Sequence, residues 1–160
     1  MKIVHKHYIV RKGWLVQSQT IEIIEDELAH AIQRIVWPEG ADGFYLDPMS
    51  RKGNGVKPIK DACVMYLEER GWRTQRRLRP HGVAGTGPLD LVRTTDHGLF
   101  ALEWETGNIS SSHRAINKMC LGILDHELIG GALVVPSDKL YPHLTDRVGD
   151  YRELQPYVPL

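Results

Sequence analysis

The sequence lacks the features that mark a membrane, secreted or disulfide-stabilised protein. Its 160 residues include two cysteines, Cys63 and Cys120, far apart and outside any Cys-x-x-Cys or Cys/His cluster, so neither a disulfide nor a zinc site is predicted and both are expected to be buried thiols. No apolar run approaches the roughly 18 residues of a membrane span, and the N-terminus lacks a signal-peptide pattern. These absences predict a soluble, cytoplasmic protein.

The chain has no net charge, but its charged residues are unevenly distributed along the sequence. The chain has 20 basic and 20 acidic residues, 42 % hydrophobic residues and 25 % charged residues, a composition that fits one globular domain with a real core. One segment is strongly basic: it contains Arg51, Lys52, Lys57, Lys60, Arg70, Arg73, Arg76, Arg77 and Arg79. Such a patch is typical of phosphate-backbone binding and also of a solvated face, so charge alone leaves the partner open.

Hydrophobic spacing predicts an α/β fold. Apolar residues at three- and four-residue intervals predict a helix over 20–36, which ends before Pro38. From Pro58 the pattern continues as a helix to Gly71, the strand WRTQRRL, the hairpin LDLVRTTDHGLFALEWET, a helix from about Ser112 to His126 and the short buried strand GALVVP. The order helix, three strands, helix, strand predicts an α/β sandwich.

The hairpin gathers three carboxylates on one face. Because side chains alternate along a strand, Glu103 and Glu105 point the same way. A loop at His97 and Gly98 would place Asp90 opposite Glu105, whereas a loop at Asp96 and His97 would place it opposite Glu103. Either register leaves an apolar opposite face, made by Leu89, Leu91, Phe100, Leu102 and Trp104.

Carboxylates this close must raise a pKa, share a proton or hold a cation. Hard oxygen ligands suit Mg²⁺, which takes one or two carboxylates and completes its octahedron with water and phosphate oxygens. A phosphodiester substrate is therefore predicted, with the metal acting as a Lewis acid and activating water. The competing interpretation is that Glu103 and Glu105 form an ordinary solvated strand face.

GPLD at 87–90, followed after twelve residues by EWE at 103–105, resembles the motif of the PD-(D/E)xK nuclease superfamily. Glu105 replaces the usual lysine, and with the continuation ETGNISSSHRAINKM this resembles the BamHI/BglII/BstYI group of type II restriction endonucleases. The resemblance covers about residues 57–136. It departs from the motif at Pro88, which precedes Leu89 rather than Asp90.

The resemblance implies a restriction-endonuclease-like core (αβββαβ, a central mixed β-sheet flanked by helices) within a single nuclease domain over 1–160. It implies Mg²⁺-dependent cleavage of double-stranded DNA by a homodimer. Asp90 and Glu103 would be the metal ligands, and Glu105 would position or deprotonate the attacking water. A further acid from a preceding helix is expected, and its candidates are Asp61, Glu68, Glu69 and Glu25.

The segment GNISSSHRAINK predicts a helix N-terminus that faces DNA. Ser110, Ser111 and Ser112 are good N-cap residues, and a helix N-terminus attracts anions. The expected DNA-binding residues are Ser111, Ser112, His113, Arg114, Asn117 and Lys118. Lys118 could also replace the lysine missing from the strand motif.

Two alternative functions remain open beside a site-specific endonuclease. One is a structure-specific nuclease such as a junction resolvase, and the other is a non-catalytic DNA-binding module of the same fold.

Overall fold

The computed structural model describes residues 1–47, 49, 56–78, 86–105, 109–144 and 149–158. Its helices of two turns or more are α1 (Gln19–Gln33), α2 (Val56–Glu68) and α3 (Ile109–Leu124), and a short helix, α4 (Tyr151–Leu154), lies near the C-terminus. The strands are β1 (Trp72–Arg77), β2 (Pro88–Thr95), β3 (Gly98–Trp104) and β4 (Leu128–Val134). The predicted order of helix, three strands, helix and strand is confirmed.

The four strands form one mixed sheet in the order β1-β2-β3-β4. The pairs β1/β2 and β2/β3 are antiparallel, whereas β4 returns through α3 to lie parallel to β3. A parallel neighbour requires a crossover connection, and α3 provides it. The sheet has helices on both faces, which is the mixed α/β architecture expected from the sequence.

The β2–β3 hairpin fixes the relation between the acidic residues. Thr95 pairs with Gly98, so Asp96 and His97 form the two-residue loop. Continuing this register beyond its last printed pair, Leu91 with Leu102, puts Asp90 opposite Glu103. The alternative register, with Asp90 opposite Glu105, is therefore wrong.

The sheet separates two apolar clusters. One lies under α1 and α2 and includes Leu91, Phe100, Leu102 and Trp104, as the hairpin pattern predicts. The second lies under α3 and includes Val92, Ala101 and Met119. Leu89 belongs to this second cluster rather than to the predicted face. Since Leu91 lies in the first cluster, the alternation of side chains along β2 is broken between these two residues, although Leu89 still pairs with Arg76 of β1.

Two sequence-based expectations about α3 are wrong. The helix begins at Ile109, so Ser110, Ser111 and Ser112 lie in its first turn rather than at its N-cap. Cys120 is exposed on this helix, whereas Cys63 is buried in the core as expected. The error on the helix start arises because serine suits both the cap and the first turn of a helix, and sequence spacing fixes helix boundaries only to within a few residues.

Glycines allow α3 to lie close to the sheet. A Cβ at Gly122 would come within 2.8 Å of side-chain atoms of both Leu78 and Leu128. A Cβ at Gly131 of β4 would lie 2.5 Å from the sulfur of Met119. The close approach matters for function because α3 also carries Lys118.

Among the described residues, no helix is both long enough and apolar enough to cross a membrane.

Candidate active site

Asp90 and Glu103 meet where β2 and β3 stop pairing. Instead of a strand carbonyl, the carboxylate of Asp90 receives the Trp104 backbone N–H, with Oδ2 2.8 Å from the nitrogen. The Asp90 side chain therefore lies against the backbone of β3, next to Glu103. A carboxylate that accepts a backbone N–H is held in one orientation by a charge-assisted hydrogen bond.

Each of these carboxylates is paired with a lysine from a different helix. Lys60 of α2 donates to Asp90 Oδ1 at 2.6 Å. The Nζ atom of Lys118, on α3, lies 2.6 Å from Glu103 Oε1 and also donates to the Pro88 carbonyl at 2.7 Å. Two acids and two ammonium groups thus form a compact, alternating charge cluster at the end of the hairpin.

Glu103 is held in a nearly dry environment. Its residue surface is 7 % exposed, and the side chain of Lys118 is 12 % exposed. Burial raises the pKa of Glu103 above its ordinary value, the neighbouring Lys118 acts in the opposite direction, and the charge of Asp90 raises it again. Burial therefore makes the ionised form of Glu103 costly in this fold, and the Lys118 ammonium offsets part of that cost.

Glu105 follows the last residue of β3 and is also buried, with 6 % of its surface exposed. Its backbone N–H donates to the Val134 carbonyl at 2.9 Å, which continues the contact between β3 and β4 by one residue. The expected close group of three carboxylates is not assembled: among the described residues, no three His, Cys, Asp or Glu side chains are arranged to hold a metal ion.

Within the described residues, no contact joins Asp90 or Glu103 to any of the four helix acids considered as a further ligand. Glu25 binds Lys6 and Tyr8 on the surface of the molecule. Glu68 accepts from Thr74 at 3.4 Å, Glu69 lies 3.7 Å from Arg70, and Asp61 is exposed. The helix preceding the sheet contributes the base Lys60 instead of an acid.

The residues predicted to bind DNA occupy different environments on α3. Arg114 and Asn117 are exposed, whereas Ser111 and His113 are half-buried. Arg114 donates to the Ser111 hydroxyl at 2.9 Å, and His113 packs edge-on against Tyr157. Ser112 is 0 % exposed, and a Cβ at Gly149 would lie 3.2 Å from its hydroxyl. In this conformation the Ser112 side chain packs inside the protein and is closed to DNA.

Lys60 is the site residue that sequence reasoning missed. On α2 it directly follows Ile59, the first residue of a buried stripe that continues with Cys63 and Leu67. A lysine next to an apolar stripe on a helix is common on protein surfaces. The sequence around Lys60 therefore gives no sign that its side chain belongs to a site. Only the packing of α2 against the sheet brings its ammonium group to Asp90.

The donor set fits a hard divalent cation. Asp90 and Glu103 offer oxygen atoms from neighbouring strands, which is the ligand chemistry that Mg²⁺ prefers. Each carboxylate already has a lysine ammonium nitrogen 2.6 Å from one of its oxygens, from Lys60 at Asp90 and from Lys118 at Glu103. Because lysine side chains are long and flexible, a metal ion can displace their ammonium groups from these carboxylate oxygens.

Comparison with known proteins identifies the family of the chain. Residues 1–160 match the family described as restriction endonuclease BamHI. The chain belongs to the BamHI restriction endonuclease family. It is 52 % identical over 157 residues to the type II restriction enzyme OkrAI of Oceanobacter kriegii, a match that covers 98 % of this chain and 79 % of the relative.

A second member of the BamHI family supports the same assignment. The type II restriction enzyme BamHI of Bacillus amyloliquefaciens is 32 % identical over 167 residues, which covers 98 % of this chain and 78 % of that enzyme. The resemblance drawn from GPLD and EWE is confirmed, and so is the expected class, a nuclease of the restriction endonuclease type.

Proposed function

We propose that this member of the BamHI family is a Mg²⁺-dependent enzyme that hydrolyses phosphodiester bonds of double-stranded DNA at a specific site, in the cytoplasm. The observation that carries the proposal is the pair Asp90 and Glu103, fixed side by side at the end of the hairpin with Lys60 and Lys118 against them. Both curated relatives are type II restriction enzymes, which supports the site-specific character of the cleavage.

Asp90 and Glu103 would hold the metal. Bound Mg²⁺ supplies a Lewis acid for the phosphoryl oxygen and makes a bound water more acidic. Glu103 would bind the metal in its ionised form, and the bound cation would offset the cost of burying that charge. The Asp90 carboxylate is oriented in advance by the Trp104 N–H.

Glu105 would orient the attacking water and take up its proton. The water oxygen forms a bond to phosphorus, one phosphorus–oxygen ester bond breaks, and the departing oxygen is protonated from solvent. Lys118 would contribute the positive charge that other nucleases of this superfamily place on the strand, and its distance of 2.6 Å from Glu103 supports this assignment. The exposed Arg114 and Asn117, with Ser111 and His113, would face the DNA.

The proposed assembly is a homodimer, because two-fold related active sites most simply cut both strands of a symmetric sequence. On a plasmid with one site, a dimer should convert supercoiled DNA to the linear form without accumulating nicked circles. Sedimentation velocity on the same preparation should give the mass of two chains.

The decisive test compares wild type, Asp90→Asn and Glu103→Gln on long duplex DNA with Mg²⁺ or with EDTA. Wild type should give discrete fragments with Mg²⁺ and none with EDTA, and both variants should lose at least about a hundredfold in rate. Asp96→Asn, at the opposite end of the same hairpin, is the matched control and should cut normally. Cleavage by Glu103→Gln at the wild-type rate, or no cleavage of any tested DNA by wild type, would refute the proposal.

A further inference from the structure

Both carboxylate oxygens of Asp90 already have a hydrogen-bond donor. Oδ2 accepts the Trp104 backbone N–H at 2.8 Å, and Oδ1 accepts from the Lys60 ammonium at 2.6 Å. The first donor is part of the backbone of β3 and stays in place, whereas the second is the end of a long side chain. Oδ1 is therefore the oxygen that Asp90 can offer to a metal, and Lys60 occupies it.

A metal ion and the Lys60 ammonium exclude each other at this oxygen. With Mg²⁺ about 2.1 Å from Oδ1 and the Lys60 nitrogen 2.6 Å from it, the two cations would be less than about 4.7 Å apart. A double and a single positive charge repel each other strongly at that distance. Binding of a metal to Asp90 therefore requires the Lys60 ammonium to leave.

The two lysines of the cluster differ in what holds them apart from their carboxylates. Lys118 also donates to the Pro88 carbonyl at 2.7 Å, and its side chain is 12 % exposed. Among the described residues, Asp90 is the single hydrogen-bond partner of Lys60, whose side chain is 22 % exposed. Lys118 therefore keeps a partner when Glu103 binds a metal, whereas Lys60 loses its partner and can move into solvent.

An ion pair between a helix and a sheet can also serve only to hold the two together. Here α2 is already anchored in the core by Ile59, Cys63 and Leu67, each of which is at most 2 % exposed. A purely structural pair predicts that removal of Lys60 destabilises the protein equally with and without metal. Exchange between Lys60 and a metal predicts that the loss occurs only without metal.

We propose that Lys60 is a positioning residue that holds Asp90 until the metal binds, with its ammonium on Oδ1 in the metal-free protein and displaced from Oδ1 by Mg²⁺. This inference rests on the proposed function and adds the residue that sets how much Mg²⁺ the site requires. Since the metal-bound protein lacks the bond between Lys60 and Asp90, a variant without this lysine loses stability only in the metal-free state. By the closed thermodynamic cycle it gains the same factor in metal affinity.

Binding of Mg²⁺ without DNA tests the exchange separately from catalysis. Isothermal titration calorimetry would compare wild type with Lys60→Met, which keeps the length of the side chain, and with Lys60→Gln. Both variants should bind Mg²⁺ about three- to tenfold more tightly, because they no longer have to break a partly buried, charge-assisted hydrogen bond.

Thermal melts measure the other side of the cycle. In EDTA, the Tm of both Lys60 variants should be about 1 to 5 °C below that of wild type. In saturating Mg²⁺ the difference should disappear, because wild type has then lost the same bond.

Two further lysine variants serve as controls. Lys12→Met, at an exposed position, removes the same charge from the chain and should match wild type in both measurements. Lys118→Met should have a lowered Tm in EDTA and in Mg²⁺ alike, because the contact of Lys118 with the Pro88 carbonyl persists in both states. If Lys118→Met regained its stability in Mg²⁺, the effect would be one of charge alone and the inference would be overturned.

Unchanged or weaker Mg²⁺ binding by both Lys60 variants would overturn the inference in favour of a structural ion pair. A loss of Tm that stays the same in EDTA and in Mg²⁺ would do so too. If wild type still cleaves DNA with Mg²⁺ in either case, the proposed function stands. Wild-type protein that neither binds Mg²⁺ nor cleaves DNA would refute both.

Discussion

Glu103 shows how a single residue acquires a function from its surroundings. Its carboxylate is buried beside Asp90, and the only compensating charge that touches it in the described structure is the Lys118 ammonium. Burial raises the pKa of Glu103, so ionising this carboxyl costs more in the metal-free fold than in the unfolded chain. A cation that binds the ionised form must therefore displace a proton or repay the cost of the buried charge.

This pKa direction predicts a pH-dependent stability. A carboxyl with a raised pKa contributes stability that is fully present below its unfolded value of about 4.5 and is lost as the pH rises through the folded value. In EDTA, wild type should therefore lose stability with rising pH relative to Glu103→Gln, which cannot ionise. Urea unfolding of both proteins at a series of pH values measures the difference.

The exposed residue Glu39 offers the matched control for this comparison. Glu39→Gln should follow wild type at every pH. A stability difference between wild type and Glu103→Gln that stays constant from acid to neutral pH would contradict the expected ionisation cost.

At the scale of elements, α1 and α3 are positioned by their contacts with the sheet. α1 is fixed by Glu27, which accepts from Trp72 Nε1 at 2.7 Å and binds Arg93 through two bonds of 3.2 Å. α3 packs closely against the sheet because Gly122 has no side chain and leaves room for those of Leu78 and Leu128. Lys118 lies one turn before Gly122, so its position depends on that contact.

Gly122→Ala should therefore destabilise the protein although alanine is the better helix former. The added methyl meets Leu78 and Leu128 at 2.8 Å, and overpacking of this kind costs about 1 to 3 kcal/mol in unfolding free energy. Chemical denaturation measures that loss. The displaced α3 should also lower the cleavage rate through Lys118.

Cys120→Ala, on an exposed position of the same helix, is the control and should change unfolding free energy by less than about 0.5 kcal/mol. If Gly122→Ala proved as stable as wild type, the close approach of α3 to the sheet would not be what positions Lys118.

At the scale of the whole molecule, the charge cluster links folding to metal binding. The two acids come from β2 and β3 and the two lysines from α2 and α3, so the cluster joins four elements, and a bound cation would connect the two strands that carry the acids. Any ligand that binds only the folded state raises its stability by mass action. Metal binding should therefore be visible as a shift in melting temperature, without DNA.

At a Mg²⁺ concentration of about ten times the Kd, the expected gain is about 1.4 kcal/mol, which corresponds to a rise in Tm of about 3 to 5 °C. The double variant Asp90→Asn/Glu103→Gln should show no such rise. Asp96→Asn should respond like wild type. A Mg²⁺-induced shift that persists in the double variant would place the metal elsewhere in the molecule.

The sequence by itself determined the order of the helices and strands, the face shared by Glu103 and Glu105, and the protein family. Apolar periodicity identified three helices and four strands in their order, because burying an apolar face requires the spacing of the element that carries it. Alternation in EWE put Glu103 and Glu105 on one face, and GPLD with EWE indicated the nuclease family. The sequence left the hairpin register open, since a shift of the two-residue loop by one position costs little locally.

Tertiary packing decided the rest. The register that sets Asp90 opposite Glu103 was selected by how the whole hairpin fits the helices on both faces. The burial of Ser112 and the arrival of Lys60 at Asp90 depend on contacts between residues distant in the chain. Such contacts leave no periodic trace, because one lysine beside an apolar stripe looks the same whether its ammonium group meets solvent or a carboxylate.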